Sequence, residues 1–164
     1  MKTTIESSDR GLLLVYRDTY ATTPEDLWTA ITTPQRLARW MADARGSFAL
    51  GGQWELYENN ERWALGTVTV CEAPRRIVTT WHAIGEDPTE LEITLEATAA
   101  GTDLVLRHTG VQSIFYGAGW EAYLGMLAAH VAQPKTQLAG TDEWQSRFDA
   151  VVPQIQATYG HLRA

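Results

Sequence analysis

The chain of 164 residues contains a single cysteine, Cys71. One cysteine cannot form an intrachain disulfide or build a thiolate metal cluster. The four histidines show no H-x-x-x-H spacing, so the sequence predicts no metal site and no cofactor. The G-x-S-x-G elbow, the P-loop and the dinucleotide-binding glycines are also missing. These absences favour a non-catalytic protein, although they leave an enzyme without such motifs open.

Positive charge is scarce. The chain has 13 lysines and arginines against 20 acidic residues, a net charge of -7, and its closest basic pair is Arg75 and Arg76. Nonspecific binding to nucleic acids or anionic membranes needs clustered basic residues, so neither partner is expected. Residues 1–11 lack an apolar signal core, and no apolar run approaches membrane length. The default expectation is a soluble, cytoplasmic protein.

The first elements that the sequence predicts are a strand and a helix interrupted by proline. Residues 11–20 (GLLLVYRDTY) are rich in β-formers and predict the first strand. Thr23 and Pro24 are suited to cap and begin a helix, and Pro34 ends that helix and opens a second short one. We expect Trp28, beside Leu27, to lie in the core.

Residues 46–110 have the character of an antiparallel meander. Turn-forming residues recur at 51–52, 58–61, 72–75, 85–88 and 99–103, and they separate about six segments of strand length. In residues 89–98 apolar and polar side chains alternate, as expected of a strand with one wet face. On this wet face Glu92 or Glu96 could meet Arg107 of the next strand.

The C-terminal part predicts two helices. Trp120, Tyr123 and Leu124 begin an apolar stripe at helical spacing, which Pro134 ends. Residues 141–160 form another amphipathic pattern, and we expect Pro153 to kink or split it. We divide the chain into a domain of residues 1–131 and a helical extension of residues 132–164. The extension would pack on its own domain or on a second subunit, which makes a homodimer possible.

This order of elements predicts an α+β fold in which a curved antiparallel sheet wraps around a long C-terminal helix and two short helices follow the first strand. With that order in place, residues 11–131 resemble the START-like helix-grip superfamily and, within it, the homologues of the activator of the heat-shock-protein-90 ATPase. The resemblance rests on five segments in order, namely TTPEDLWTAITTPQRLARWM, GGQWELYE, GTVTVCEAPRRIVTTWH, TELEITLEATAAGTDLVLRHTGV and GWEAYLGML.

The resemblance implies three functions. Members of the wider superfamily bind lipids, sterols, polyketides or other apolar molecules between sheet and helix, so the first expectation is a non-catalytic module that binds a small hydrophobic or aromatic ligand. The first alternative is a co-chaperone-like module that binds a protein and stimulates a chaperone ATPase. The second alternative is a polyketide cyclase-like enzyme. Fold alone does not choose among them.

The candidate ligand-binding residues are those that the strand alternation and helix stripes direct toward the space between sheet and helix. His108, at the end of one inward-facing row, would orient a ligand by a hydrogen bond or act as acid or base, unless the protein itself occupies its nitrogens. The rings would line a cavity or simply fill the core. The full set is Trp40, Met41, Trp54, Leu56, Trp81, Leu95, Leu106, His108, Trp120, Tyr123 and Leu124.

Overall fold

One eight-stranded antiparallel sheet and four helices make up the computed structural model, which describes residues 1–164. The sheet is curved and open, its strand order is β1-β2-β8-β7-β6-β5-β4-β3, and the predicted helix-grip fold is confirmed. The elements are β1 (Thr3–Ser8), β2 (Gly11–Tyr20), α1 (Pro24–Thr32), α2 (Pro34–Trp40), β3 (Asp43–Gly46), β4 (Gln53–Glu58), β5 (Glu61–Glu72), β6 (Arg76–Ala83), β7 (Thr89–Thr98), β8 (Gly101–Val111), α3 (Phe115–Ala132) and α4 (Glu143–Tyr159).

The short helix pair is fixed by its caps and by one tryptophan. The Thr23 hydroxyl accepts a hydrogen bond from the Asp26 backbone N–H at 3.2 Å, which caps α1 as the sequence predicted. In α2, the Trp40 indole N–H donates to the Ala30 carbonyl of α1 at 2.9 Å, and its ring is buried. This bond holds α2 against α1. Trp28, in contrast, is only partly buried at the edge of the core.

Alternate residues of the strands face the core and the solvent, as the sequence predicted. Leu104, Leu106 and His108 of β8 are fully buried on the inner face. On the outer face Glu92 lies opposite Arg107 in the strand register. The Glu92 carboxylate nevertheless pairs with Arg76 on β6, whose Nε lies 2.8 Å away.

The N-terminal residues form a strand that the sequence reading missed. The sequence predicts a first strand that begins at residue 11, but β1 precedes it and pairs antiparallel with β2, with Thr3 opposite Tyr16. Thr3 and Ile5 are buried while most of β1 is exposed. Only two residues of β1 face the core, so its apolar alternation was too short to be recognised.

The Asp18 carboxylate of β2 is held by two other side chains. Its carboxylate accepts a hydrogen bond from Lys2 Nζ at 2.8 Å and one from the Tyr16 hydroxyl at 3.2 Å. The Asp18 side chain is mostly buried, with 16% of its surface exposed. It therefore ties the N-terminus to β2 and is not a free carboxylate.

Helix α3 lies between the sheet and α4. Leu124 and Leu127 are buried, and Ile155 of α4 is fully buried beside Gly117 of α3. A side chain at Gly117 would meet Ile155, so this glycine permits the close approach. Helix α4 runs without a break through Pro153, and the predicted split does not occur. Pro153 is exposed, so water can bond to the carbonyl that its missing N–H leaves free.

The extension thus packs on α3 of its own chain, while the division at residue 131 and a homodimer remain predictions.

Ile155→Ala should lower the free energy of unfolding by about 2–5 kcal/mol, because it opens a cavity at a fully buried site. Urea denaturation followed by tryptophan fluorescence measures this change. The control is Gln154→Ala on the exposed side of the same helix, expected to stay within about 0.5 kcal/mol. Equal, small losses would contradict this packing.

Candidate ligand-binding cavity

We call the space between the sheet and helix α3 the grip. A cavity of about 890 Å³ lies at its open end, the mouth of the grip, where the helices meet the ends of β4, β5 and β6. Its walls come from five parts of the chain: the end of α2, the β4–β5 turn, the end of β6, the first half of α3, and the segment from Gln137 to Phe148. The aromatic residues that line this cavity are Tyr57, Trp63, Trp81, Phe115, Tyr116, Trp120, Tyr123, Trp144 and Phe148.

The rings form a continuous wall from the sheet to α4. Trp63 of β5 stacks on Tyr123 of α3, with ring centroids 6.4 Å apart and planes 4° from parallel. Tyr123 contacts Trp144 of α4 at 5.5 Å, and Trp144 stacks on Phe148 at 4.8 Å. Tyr123 and Trp144 are half-buried. Aromatic faces left at a cavity surface offer large apolar area and preferred stacking geometry to a ligand.

Deeper in the grip the space is nearly filled. The second cavity holds only about 60 Å³, little more than room for a water or two. Trp54 fills much of this end, because its ring lies over Gly66 and its indole N–H donates to the Thr79 hydroxyl at 2.8 Å. A side chain at residue 66 would collide with the Trp54 ring. The grip is therefore packed at its inner end and open at its mouth.

The eleven sequence-predicted residues fall into three groups. Met41, Trp81, Trp120 and Tyr123 line the larger cavity, and all of these except Tyr123 also line the smaller one. Trp40, Trp54, Leu56 and Leu124 line only the smaller cavity. Leu95, Leu106 and His108 line neither. Ligand contact by these residues remains a prediction.

His108 is held by the protein at both ring nitrogens. Trp120 Nε1 donates to His108 Nδ1 at 3.0 Å, so the proton of the neutral ring lies on Nε2. His108 Nε2 then donates to the Thr89 hydroxyl at 2.6 Å, and that hydroxyl donates to the Trp81 carbonyl at 3.1 Å. Burial lowers the pKa of His108 to about 3. In this arrangement His108 positions Trp120 and has no nitrogen free for a ligand.

Trp81 carries the buried donor that this site leaves unpaired. Its indole Nε1 is buried and makes no hydrogen bond, although it lies beside the Tyr116 oxygen. The Tyr116 hydroxyl donates instead to Glu86 at 3.0 Å. Burial, together with the neighbouring Glu86 carboxylate, raises the pKa of Tyr116 to about 12. The phenol therefore stays protonated and cannot act as a base near neutral pH.

A second buried histidine lies apart from the cavity lining. His130 of α3 accepts a hydrogen bond at Nε2 from Arg36 Nε at 3.1 Å, and Arg36 Nη1 bonds to Asp26 at 2.8 Å. Burial and the Arg36 charge lower the pKa of His130. This group ties α1, α2 and α3 together.

Several residues that line the cavity are absent from the set predicted from the sequence. Trp63 lies on a strand whose alternation did not single it out, and Tyr116 precedes the stripe that we recognised on α3. Trp144 and Phe148 were visible in the amphipathic extension, but nothing in the pattern showed that they face a cavity. Tyr116, Trp120 and Tyr123 follow at i, i+4 and i+7, so the helical spacing could have added Tyr116 to the site.

A sequence model of the family described as activator of Hsp90 ATPase homolog 1-like protein matches residues 21–132, more than half of the chain. The chain belongs to this family. Because the family match ends at α3, the part of the cavity wall made by Trp144 and Phe148 lies outside it. No curated protein sequence matches the chain.

Solved structures share the fold. CalU16 from Micromonospora echinospora has a TM-score of 0.70 and 25% identity, over 94% of this chain and 96% of CalU16. DynU16, from the dynemicin biosynthetic locus, has a TM-score of 0.72 and 19% identity, over 81% of this chain and 51% of DynU16. The Aha1 dimer from Colwellia psychrerythraea has a TM-score of 0.63 and 20% identity, over 75% of this chain and 98% of that one. None of the four helices is long and apolar enough to cross a membrane.

Acidification should destabilise the fold through His108. The unfolded histidine takes up a proton near its ordinary pKa of 6.5, whereas the folded one resists protonation down to about 3. Between these values the unfolded state binds more protons, so stability falls as the pH falls. From pH 7.5 to 4.5 this group should cost about 3 kcal/mol, measured by urea denaturation at each pH.

The matched variant is His108→Gln, which removes the titrating group and leaves every carboxylate and His130 in place. It should be less stable at pH 7.5, but the gap to the parent protein should narrow as the pH falls to 4.5. Stability curves that stay parallel over this range would contradict the assignment of a neutral, buried His108.

Proposed function

We propose that the protein is a non-catalytic module that binds a small aromatic or apolar molecule in the larger cavity. The observation that carries this proposal is the continuous wall formed by Trp63, Tyr123, Trp144 and Phe148 around about 890 Å³ of space. Ligand sites are typically clefts of roughly 300–1,000 Å³ with mostly apolar walls and a few polar groups. This cavity fits that description.

The contrast between the two ends of the grip supports the same function. At the inner end Trp54 and Leu56 are almost completely buried, as core residues are. At the mouth Trp63, Tyr123 and Trp144 remain half-buried although their rings touch one another. Rings that served only to fill a core would be expected to be fully buried, as Trp54 is. A ligand would cover their remaining surface, and burial of apolar area contributes about 25 cal/mol per Å².

The alternatives receive less support from the molecule. For a cyclase-like enzyme, His108 cannot serve as acid or base, because the protein holds both of its nitrogens. The Tyr116 phenol stays protonated and cannot serve as a base. A co-chaperone-like role, and association like that of the Colwellia Aha1 dimer, rest on family membership. The outer sheet face offers exposed carboxylates at Glu90 and Glu96, which equally suit solvation.

The test is a titration with N-phenyl-1-naphthylamine, a neutral aromatic probe whose fluorescence rises in apolar sites. We expect saturable binding at one site per chain. Trp63→Ala and Trp144→Ala should each weaken binding by roughly tenfold, because each removes about 60 Å² of apolar contact.

Trp28→Ala is the control, since Trp28 is also partly buried but lines neither cavity. It should leave the affinity unchanged, and circular dichroism confirms that the variants fold. Absence of saturable binding, or equal losses in all three variants, would contradict a site at the mouth of the grip. Native mass spectrometry of the purified protein, followed by denaturation, would identify any molecule retained from the cell.

A further inference from the structure

The charges around the larger cavity are of one sign. Its 25 lining residues include Asp43, Glu58 and Glu86, and they include no lysine, arginine or histidine. Asp43 is neutralised by Arg45, whose Nη2 lies 2.9 Å from its carboxylate. Glu58 and Glu86 make no ion pair. Two uncompensated negative charges thus border an otherwise aromatic cavity.

Both carboxylates act on groups inside the cavity. Glu86 accepts the hydrogen bond of the Tyr116 hydroxyl. Burial, together with the Glu58 carboxylate, raises the pKa of Tyr123, whose ring stacks on Trp63 and lies at a tilt against Trp144. The negative potential therefore reaches the aromatic wall and is not confined to the rim.

The aromatic rings favour the same kind of ligand. The face of an indole or phenol ring is electron-rich and attracts a cation, most strongly where water is excluded. Trp63 and Trp144 both contact Tyr123, and these three rings line the same cavity as Glu58 and Glu86. An anionic ligand, such as a fatty acid, would find two like charges and no cationic partner here.

The wall also contains one buried donor without a hydrogen-bond partner, the indole Nε1 of Trp81. Trp81 is only 5% exposed. Its Nε1 lies beside the Tyr116–Glu86 pair and makes no hydrogen bond. A buried donor without an acceptor is costly, and such groups are uncommon in folded proteins. A ligand atom with a free lone pair beside Trp81 Nε1 would satisfy this donor.

We propose that the ligand is a cationic aromatic molecule, a planar ring system that carries a protonated amine or a quaternary ammonium group. The ring lies against Trp63, Tyr123 and Trp144, and the positive charge lies toward Glu58 and Glu86. This inference rests on the proposed function and adds the charge of the ligand to it.

The experiment uses three probes with one ring system and different charges at pH 7.5: 9-aminoacridine, which is cationic, acridine, which is neutral, and acridine-9-carboxylate, which is anionic. Affinities are measured by fluorescence anisotropy or calorimetry with the full chain. We expect the cation to bind roughly tenfold tighter than the neutral probe, and the anion to bind most weakly. This preference should shrink in high salt, because the rim charges are exposed.

Glu58→Gln and Glu86→Gln should each reduce the ratio of cation to neutral affinity severalfold. Glu90→Gln is the control, because Glu90 is an exposed carboxylate that does not line the cavity. It removes the same charge from the molecule and should keep the ratio. A ratio that falls equally in all three variants would indicate only the net charge of the protein and would overturn the proposal.

The outcomes separate this inference from the proposed function. Equal affinity for the three acridines, or tighter binding of the anion, would overturn a cationic ligand while leaving an aromatic site in place. The same holds if N-phenyl-1-naphthylamine binds and no acridine does. If neither the neutral naphthylamine nor any acridine binds, the proposed function fails as well.

Discussion

Helix α3 must be covered on two sides, and much of the structure follows from this constraint. Its buried residues occur around its whole circumference, which no single sheet face could cover. The sheet covers one side, and Ile155 and its neighbours on α4 cover the other. Because α4 must lie along α3 for this reason, its first turns also bring Trp144 and Phe148 to the mouth of the grip. Helix α4 therefore both covers the core and forms part of the cavity wall.

The rotation of α3 about its axis decides which rings face the cavity. The Trp120–His108 hydrogen bond fixes that rotation, because His108 is itself held by Thr89 on β7. With Trp120 in place, Tyr116 lies about one turn before it and Tyr123 about one turn after it, on the same side of the helix. The sequence suggested that His108 contacts a ligand, but in the structure it orients Trp120 and, through this helix, the residues that form the wall. Its low pKa follows from the burial that this position requires.

The sequence predicted the architecture well because the architecture depends on short-range signals. Thr23, Pro24 and Pro34 set the helix boundaries through capping and missing N–H groups, and the alternation in residues 89–98 set the inner face of the sheet. Strand β1 was missed because only Thr3 and Ile5 face the core. Pro153 was misjudged because its cost depends on exposure, which the sequence does not show. The cavity was predicted less well, since only the tertiary fold brings Trp63 and Trp144 against Tyr123.

The same tertiary dependence explains why the inner and outer parts of the grip have different character. At the inner end, rings from neighbouring strands pack directly, and Gly66 lets Trp54 lie flat on the sheet. At the mouth, the walls come from α3, α4 and the strand ends, which lie too far apart for their side chains to fill the space. The carboxylates of Glu58 and Glu86 border that gap, and no basic side chain lines it. The ligand that we propose supplies both apolar surface and positive charge, so its chemistry would be a consequence of how the helices are spaced.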